Sequence, residues 1–218
     1  MYVGLKMITD VISVTKDTLI TEANELMEKN RLWMLPVVKK ERLIGYVTKE
    51  DVRTALPSQA TSLSKYELPE LMSHITVEDF VRTQDIITVK PETEIEQAAE
   101  IMAAKDLPGL AVVTDAGKLI GYINRSVMLD VLVEEMGLHR GGSRFAIEFK
   151  DRPGVMADVS GLISMMGLNF VSAASFYHNS ECILVFRVQT ADLSPILAEL
   201  EDRGYTIVGP DKFADQWQ

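Results

Sequence analysis

The residues of this sequence best placed to act chemically are Thr48 and Asp51, a hydroxyl and a carboxylate one helical turn apart. At the start of a helix, such a pair can accept hydrogen bonds from both hydroxyls of a ribose. The same spacing also forms a capping box, in which a threonine N-cap stabilises the helix by about 1 kcal/mol. Spacing alone favours the cap, although one lone pair can cap the helix while another meets a ligand.

The other reactive side chains do not form a catalytic or metal-binding group. His74, His139 and His178 are scattered, without the i, i+4 spacing of a helical zinc site. Cys182, the single cysteine, stands in an apolar run and is interpreted as a buried core residue. Gly141-Gly142 lacks the lysine that follows the glycines of a phosphate-binding loop. We therefore expect no catalytic residues, no metal and no required cofactor, and we interpret the chain as a non-enzyme.

The composition limits the partners that the chain can bind. Its 22 basic and 32 acidic residues give a formal net charge of −10 at pH 7, and the pI is about 4.8. An acidic chain lacks the positive field that non-specific binding to nucleic acid or anionic membranes requires. The sequence shows neither a signal-peptide pattern nor an apolar run long enough to span a bilayer. We therefore expect a cytoplasmic protein that binds neither nucleic acid nor membranes.

The N-terminal part of the chain contains an internal duplication. Residues 7–38 align with residues 82–113, with 12 identities in 32 positions. After a one-residue insertion, the segment Leu43-Ile44-Gly45-Tyr46 aligns with Leu119-Ile120-Gly121-Tyr122. Self-similarity of this extent indicates two copies of one structural unit.

Each copy shows the same order of predicted elements. In the first copy, residues 11–14 are predicted to form a short strand, and an amphipathic helix follows from Thr18. Residues 34–38 and 43–47 are predicted strands on either side of a polar turn, and a second helix begins near Thr48. One such β-α-β-β-α unit has too little surface to enclose a core. We therefore expect the two copies to pack together as a pseudo-symmetric pair.

A different unit follows the duplication. Its predicted elements are a strand at 145–149, a helix at 155–166, a hairpin of residues 169–177 and 181–188, a helix at 193–203 and a strand at 205–208. This βαββαβ order predicts a ferredoxin-like sandwich, so the whole chain belongs to the α+β class.

The predicted segments divide the chain into four parts. The first copy covers residues 1–56, a partly helical connector covers 57–76, the second copy covers 77–137 and the last unit covers 143–218. Gly141-Gly142 is interpreted as the boundary before the last unit. Within the connector, one apolar helical face is predicted for Leu63, Leu68, Leu71, Met72 and Ile75.

The repeated unit resembles the cystathionine-β-synthase-type (CBS) domain, and the pair resembles a Bateman module. The resemblance rests on Leu35-Pro36-Val37-Val38 with residues 43–51, and on the partial copy Leu110-Ala111-Val112-Val113 with residues 119–127. It implies a regulatory protein that binds an adenosine-containing ligand, namely AMP, ADP, ATP or S-adenosylmethionine, in a cleft between the copies. It also implies a homodimer.

The nucleotide-binding residues that the resemblance implies all lie in the first copy: Ile12, Ser13, Leu35, Pro36, Thr48 and Asp51. For Leu35 and Pro36, a place in the core at the start of a strand is an equally good interpretation. Trp33 stands where the family often has arginine, which removes a potential phosphate contact and offers a stacking face.

The second copy differs from the first at the residues that would meet the ribose. Asn124 and Val127 stand at the positions of Thr48 and Asp51, so the carboxylate is missing. Asn124 remains a good helix cap. We expect any second site to be weaker, to select another ligand or to be empty.

The C-terminal unit resembles an ACT domain through residues 151–159 and Gly167-Leu168-Asn169, and the order CBS, CBS, ACT is similar to acetoin-utilisation B-type proteins. The resemblance implies an amino-acid sensor or a dimerisation unit, with Asp151, Gly154, Val155 and Asn169 as amino-acid contacts. Because proline and glycine suit a turn that opens a helix, a structural or dimerising role is favoured. The leading hypothesis is a ligand sensor that acts on an unidentified regulated protein, and the alternative is a ligand-free oligomerisation or interaction protein.

Overall fold

The computed structural model describes residues 1–56, 73–178 and 181–211. It contains two compact units, Met1–Leu129 and Asp130–Gln218. Most of the connector therefore lies outside the described residues, including its predicted apolar positions Leu63, Leu68, Leu71 and Met72. None of the helices among the described residues is long and apolar enough to cross a membrane.

The first copy contains helix α1 (Ile20–Asn30), strands β1 (Met34–Lys39) and β2 (Arg42–Thr48), and helix α2 (Lys49–Ala55). The two strands form an antiparallel hairpin. Both helices pack on it around a fully apolar core, and α1 begins two residues after the predicted Thr18. The buried core residues are Val14, Ile20, Ala23, Met27, Leu35, Val37, Val47, Val52 and Val77.

The predicted strand at residues 11–14 is wrong except at its last residue. Only Val14 bonds to β1, with its N–H donating to Pro36 O at 3.0 Å and its oxygen accepting from Val38 N at 2.8 Å. A parallel ladder would next require a donor from residue 36, and proline has no N–H. In the second copy Ala111 occupies that position, and the strand there is two residues long.

The second copy repeats the order of the first. It contains strand β3 (Thr88–Val89), helix α3 (Ile95–Ala104), strands β4 (Gly109–Val113) and β5 (Leu119–Asn124), and helix α4 (Arg125–Glu135). The boundary between the two compact units falls inside α4 rather than at Gly141-Gly142. The second unit holds the end of this helix, because Met136 O accepts hydrogen bonds from Ser172 Oγ at 2.9 Å and from Arg187 Nε at 3.1 Å.

The two copies are joined by reciprocal exchange of main-chain hydrogen bonds. Ile8 of the first copy exchanges two N–H···O bonds, of 2.8 and 2.9 Å, with Tyr122 of β5. Arg82 of the second copy exchanges two such bonds, of 2.9 and 3.2 Å, with Tyr46 of β2. The leading segment of each copy, residues 8–12 in the first and 82–87 in the second, therefore adds to the hairpin of the other copy.

Glycine is required where each exchange occurs. A Cβ at Gly45 would lie 2.5 Å from Val81 Cγ2 and 2.7 Å from the oxygen of Arg82. A Cβ at Gly121 would clash with the side chain of Met7. The Gly-Tyr pair repeated in the sequence therefore marks the two points at which the copies cross.

The second unit is a four-stranded antiparallel sheet with two helices. Its elements are β6 (Ser143–Phe149), α5 (Val155–Met165), β7 (Phe170–His178), β8 (Glu181–Val188), α6 (Ser194–Asp202) and β9 (Thr206–Ile207). The strand order within the sheet is β7-β8-β6-β9. Along the chain, the elements follow each other in the predicted order βαββαβ. The two helices and one sheet face share an apolar core that includes Phe186, Ile147, Ile163, Ile196 and Leu200.

Replacing Gly45 with alanine tests the exchange between the copies. We expect Gly45→Ala to lower the free energy of unfolding by about 1–3 kcal/mol, because the added methyl group meets main-chain atoms that cannot move independently. The control is Gly161→Ala within α5, where a Cβ meets nothing within 4 Å. The control is expected to stabilise by about 0.5–1 kcal/mol. Urea denaturation measures both, and an unaltered midpoint for Gly45→Ala would show that the crossing is not tight.

Candidate functional site

Two clefts lie between the copies in the first unit. The Tyr122 cleft has a volume of about 390 Å³, and the Tyr46 cleft has a volume of about 370 Å³. Seven lining positions of one cleft match seven of the other through the duplication: Asp10 with Asp85, Val11 with Ile86, Ile12 with Ile87, Leu32 with Leu107, Met34 with Gly109, Pro36 with Ala111 and Tyr122 with Tyr46.

Each cleft therefore takes residues from both copies. The Tyr122 cleft combines the leading segment and β1 of the first copy with β5 of the second. The Tyr46 cleft combines β2 of the first copy with the leading segment of the second. The predicted nucleotide-binding residues, all from the first copy, did not include those that the second copy brings to each cleft.

The buried side of the Tyr122 cleft is apolar apart from the tyrosine. Tyr122 is 8% exposed, and its hydroxyl lies so close to Gly109 that a Cβ there would overlap it. Burial raises the pKa of this phenol to about 12. The hydroxyl therefore stays protonated at neutral pH and can donate or accept a hydrogen bond.

A wider mouth of about 840 Å³ adjoins the Tyr122 cleft and shares Leu32, Tyr122 and Asn124 with it. Its rim carries Arg31, whose φ of 54° ends α1, and Arg125, which begins α4. Arg125 Nη2 lies 2.5 Å from the exposed Asp106 carboxylate. Two guanidinium groups on one rim suit an anionic group of a ligand.

Two further side chains supply the remaining chemistry of this mouth. Asn124 Oδ1 accepts a hydrogen bond of 2.9 Å from Val127 N and so caps α4, as expected. The Nδ2 group of the same amide is a donor, which a carboxylate is not. Trp33 is 66% exposed on the rim, and Lys49 Nζ lies 5.3 Å from the centroid of its ring. The indole therefore offers a flat surface for stacking.

Thr48 and Asp51 form the predicted capping box at the start of α2. Asp51 N donates to Thr48 Oγ1 at 3.2 Å, and Thr48 N donates to Asp51 Oδ2 at 2.9 Å. Thr48 lies two residues after Tyr46 on β2 and pairs with Met34, which lines the Tyr46 cleft. The box therefore stands beside that cleft.

The sequence did not reveal the partner of Asp51. Arg82 reaches Asp51 with two charge-assisted hydrogen bonds, from Nη2 to Oδ1 at 2.6 Å and from Nε to Oδ2 at 3.0 Å. Partial burial opposes ionisation of Asp51, but the bonds from Arg82 and then from Thr48 outweigh it, so the pKa of Asp51 lies below its ordinary value. The 31-residue separation of this pair leaves no local signal in the sequence.

The structure distributes the six predicted nucleotide-binding residues over different places. Ile12 and Pro36 line the Tyr122 cleft, and Pro36 also lines the Tyr46 cleft. The side chain of Leu35 is fully buried in the core, and Ser13 is not among the lining residues of these two clefts. The signal that could have found Tyr46 and Tyr122 is their repetition in both copies.

The four predicted amino-acid contacts of the second unit do not share one pocket wall. Asp151 Oδ2 accepts a hydrogen bond of 2.8 Å from Tyr177 Oη, and Gly154 is the N-cap of α5 with a φ of 93°. Val155 is buried in the apolar core, and Asn169 is exposed.

A polar network in the second unit was not predicted. Tyr205 Oη donates to Asp158 Oδ2 at 2.6 Å and accepts from Arg152 Nη2 at 3.0 Å, while Arg203 Nη1 donates to Asp158 Oδ1 at 2.7 Å. The hydrogen bonds from Tyr205 and then Arg203 hold the pKa of Asp158 below its ordinary value. The network borders an open polar pocket that also contains Lys150.

Residues that could ligate a metal do not gather in the part of the chain that the structure describes. No group of three or more histidine, cysteine, aspartate or glutamate side chains is close enough there to hold a metal ion.

The duplicated fold and its paired clefts define the first unit as a tandem module with clefts between its copies. The family model for the CBS domain matches residues 3–58 and 77–134, which together are just over half of the chain. The chain therefore belongs to the CBS-domain family, and the prediction of two tandem CBS copies is confirmed. CBS pairs are typically regulatory rather than catalytic.

The similar proteins include enzymes and a nucleotide-bound CBS pair. An inosine-5'-monophosphate dehydrogenase of Korarchaeum cryptofilum is 34% identical over 116 residues, which are 53% of this chain and 21% of that enzyme. The matched part of the enzyme is its CBS region, and this chain spans about a fifth of the length of this curated relative. CBSX2 of Arabidopsis thaliana, solved with AMP, is 26% identical with a TM-score of 0.51, covering 61% of this chain and 96% of that one.

A second similar structure supports the fold alone. The protein assigned to acetoin utilization (AcuB) in Vibrio cholerae is 20% identical, with a TM-score of 0.53. The similarity covers 66% of this chain and 98% of that one.

The Arg82–Asp51 pair predicts a dependence of stability on pH. Because the folded pKa of Asp51 lies below its ordinary value of 3.8, its stabilisation is present above that value and is lost as the pH falls through the folded pKa. We expect Asp51→Asn to show a smaller loss of unfolding free energy than the wild type below about pH 4. Urea denaturation at several pH values measures this, and parallel curves would contradict the ion pair.

Proposed function

We propose that this chain is a regulatory sensor that binds an adenosine-containing nucleotide in a cleft between its two CBS copies. The observation that carries the proposal is the Tyr122 cleft, which joins an apolar chamber to a mouth with two arginines. The AMP-bound CBSX2 structure supports the same ligand class. Among AMP, ADP, ATP and S-adenosylmethionine, AMP is the first to test.

The arrangement suits a nucleotide in one orientation. The apolar side chains of Ile12, Met34 and Pro36 would enclose the base, while Tyr122 Oη and Asn124 would hydrogen-bond to its polar edge or to the sugar. The phosphate would lie at the mouth, near Arg31 and Arg125. The proposed site is thus apolar around the base and cationic around the phosphate.

Signalling follows from the fact that both copies form each cleft. A ligand held between the leading segment of one copy and the hairpin of the other contacts both copies at once. It changes their packing only to the extent that its affinity differs between the two arrangements. We propose that an unidentified regulated protein responds to this change.

For the second unit we propose an ACT domain that serves for dimerisation or as an amino-acid sensor. The βαββαβ order and the Gly154 turn that opens α5 support this assignment. A homodimer is proposed with it, since α4 leaves Leu129 and Leu132 more than half exposed. The cytoplasmic location stays a prediction.

Binding of AMP is tested by isothermal titration calorimetry of the full chain. We expect Arg125→Ala to weaken AMP binding tenfold or more, since a hydrogen bond to a charged group contributes about 1.5–3 kcal/mol, and to leave adenosine binding nearly unchanged. Arg144→Ala is the matched control, because Arg144 is an exposed arginine of the second unit.

Two results would contradict the proposal. Equal loss of affinity for AMP and adenosine would show that Arg125 does not bind the phosphate. No binding of any of the four candidate ligands at millimolar concentration would favour the alternative, a ligand-free oligomerisation or interaction protein.

A further inference from the structure

Both oxygens of the Asp51 carboxylate already accept hydrogen bonds. Oδ2 accepts from Thr48 N at 2.9 Å, from Thr48 Oγ1 at 2.6 Å and from Arg82 Nε at 3.0 Å. Oδ1 accepts from Arg82 Nη2 at 2.6 Å. A carboxylate offers about four acceptor sites. These sites are two on each oxygen, so Oδ2 is full and Oδ1 has one left. The two hydroxyls of a ribose can therefore bond together to Asp51 only if one of these donors is displaced.

Of these donors, Arg82 is the one whose side chain could leave Asp51 without disturbing the helix cap or its own main-chain hydrogen bonds. Its main chain exchanges two hydrogen bonds with Tyr46, which lines the cleft beside Asp51. Its side chain is 52% exposed, whereas that of Asp51 is 16% exposed. Thr48, by contrast, belongs to the helix cap, and its loss would expose the start of α2.

The equivalent contact does not exist beside the other cleft. Val127 replaces Asp51 in the duplication, and Met7 stands at the position of Arg82. The side chain of Met7 instead packs close to Gly121. The ion pair therefore distinguishes two clefts that the duplication would otherwise make alike.

We propose that Arg82 is an internal occupant of the diol-binding position of Asp51 and keeps the Tyr46 cleft closed to nucleotides. This inference rests on the proposed function, and it assigns nucleotide binding in the unmodified chain to the Tyr122 cleft alone. A hydrogen bond from a ribose hydroxyl to this carboxylate would be charge-assisted as well, but only the guanidinium adds a full opposite charge and a planar fork of two donors. The two neutral hydroxyls of a ribose therefore do not displace it.

The structure accordingly makes Arg82 a residue that sets the number of ligands per chain. Removal of its guanidinium leaves the Asp51 carboxylate with its Thr48 bonds and with Oδ1 open to a ligand. The Tyr46 cleft would then contain the same apolar chamber as its counterpart, together with a free carboxylate oxygen.

Calorimetric titration with AMP measures the stoichiometry directly. We expect one AMP per chain for the wild type and two for Arg82→Ala. Arg82→Gln keeps a long polar side chain but cannot form the bidentate ion pair, and it is expected to behave like Arg82→Ala. Because Arg82 is half exposed, neither change opens a cavity in the core.

Two further variants separate the specific effect from a general loosening of the first unit. Lys118→Ala removes another ion pair between the copies, Lys118 Nζ–Glu41 Oε2 at 3.2 Å, and should leave one AMP per chain. The double variant Arg82→Ala/Asp51→Ala should return the stoichiometry to one, since the new site depends on the freed carboxylate.

The outcomes distinguish this inference from the proposed function. One AMP per chain in both the wild type and the Arg82 variants would overturn the inference and leave the proposed function intact, and so would two in the wild type. No binding to the wild type with one AMP bound to Arg82→Ala would support the internal occupant but reject the proposed site in the Tyr122 cleft. No binding to any variant would overturn both.

Discussion

The structure of the first unit depends on the main-chain exchange between the two copies. Each copy has only a hairpin and two helices of its own, together with a short leading segment that in the second copy includes β3. That segment reaches across and bonds to the hairpin of the other copy, at Tyr122 in one case and at Tyr46 in the other. Gly45 and Gly121 allow the approach, because a Cβ at either position would collide with the crossing chain. Both the shared packing and the position of the clefts follow from this exchange.

The clefts are a direct result of the same crossing. Where a leading segment leaves its own copy and meets the other hairpin, side chains from both copies face one space. The wall next to the crossing carries a tyrosine each time, because the tyrosine follows the glycine on the strand. The proposed ligand would therefore contact both copies next to the point where their chains cross.

Divergence after duplication has affected the polar rim more than the framework. Three apolar lining positions are retained as similar residues: Val11 with Ile86, Ile12 with Ile87 and Leu32 with Leu107. The positions at the start of the following helix have changed, from a carboxylate paired with Arg82 to Val127 beside an asparagine cap. The physical constraint on the apolar residues is packing, which both copies share. The polar residues at the rim are constrained by the groups that they bind, and these groups can differ between the two clefts.

The sequence by itself determined what depends on neighbours along the chain. The duplication, the βαββαβ order of the last unit and the Thr48–Asp51 cap could all be read from periodicity and spacing. Only the tertiary structure decided which copy completes each cleft and that Arg82 binds Asp51. Such contacts join residues that are far apart in sequence, and a pattern within one copy carries no information about the side chains that the other copy brings to it. The short strand at Val14 shows the same limit, because its length was set by Pro36 of its partner strand rather than by its own residues.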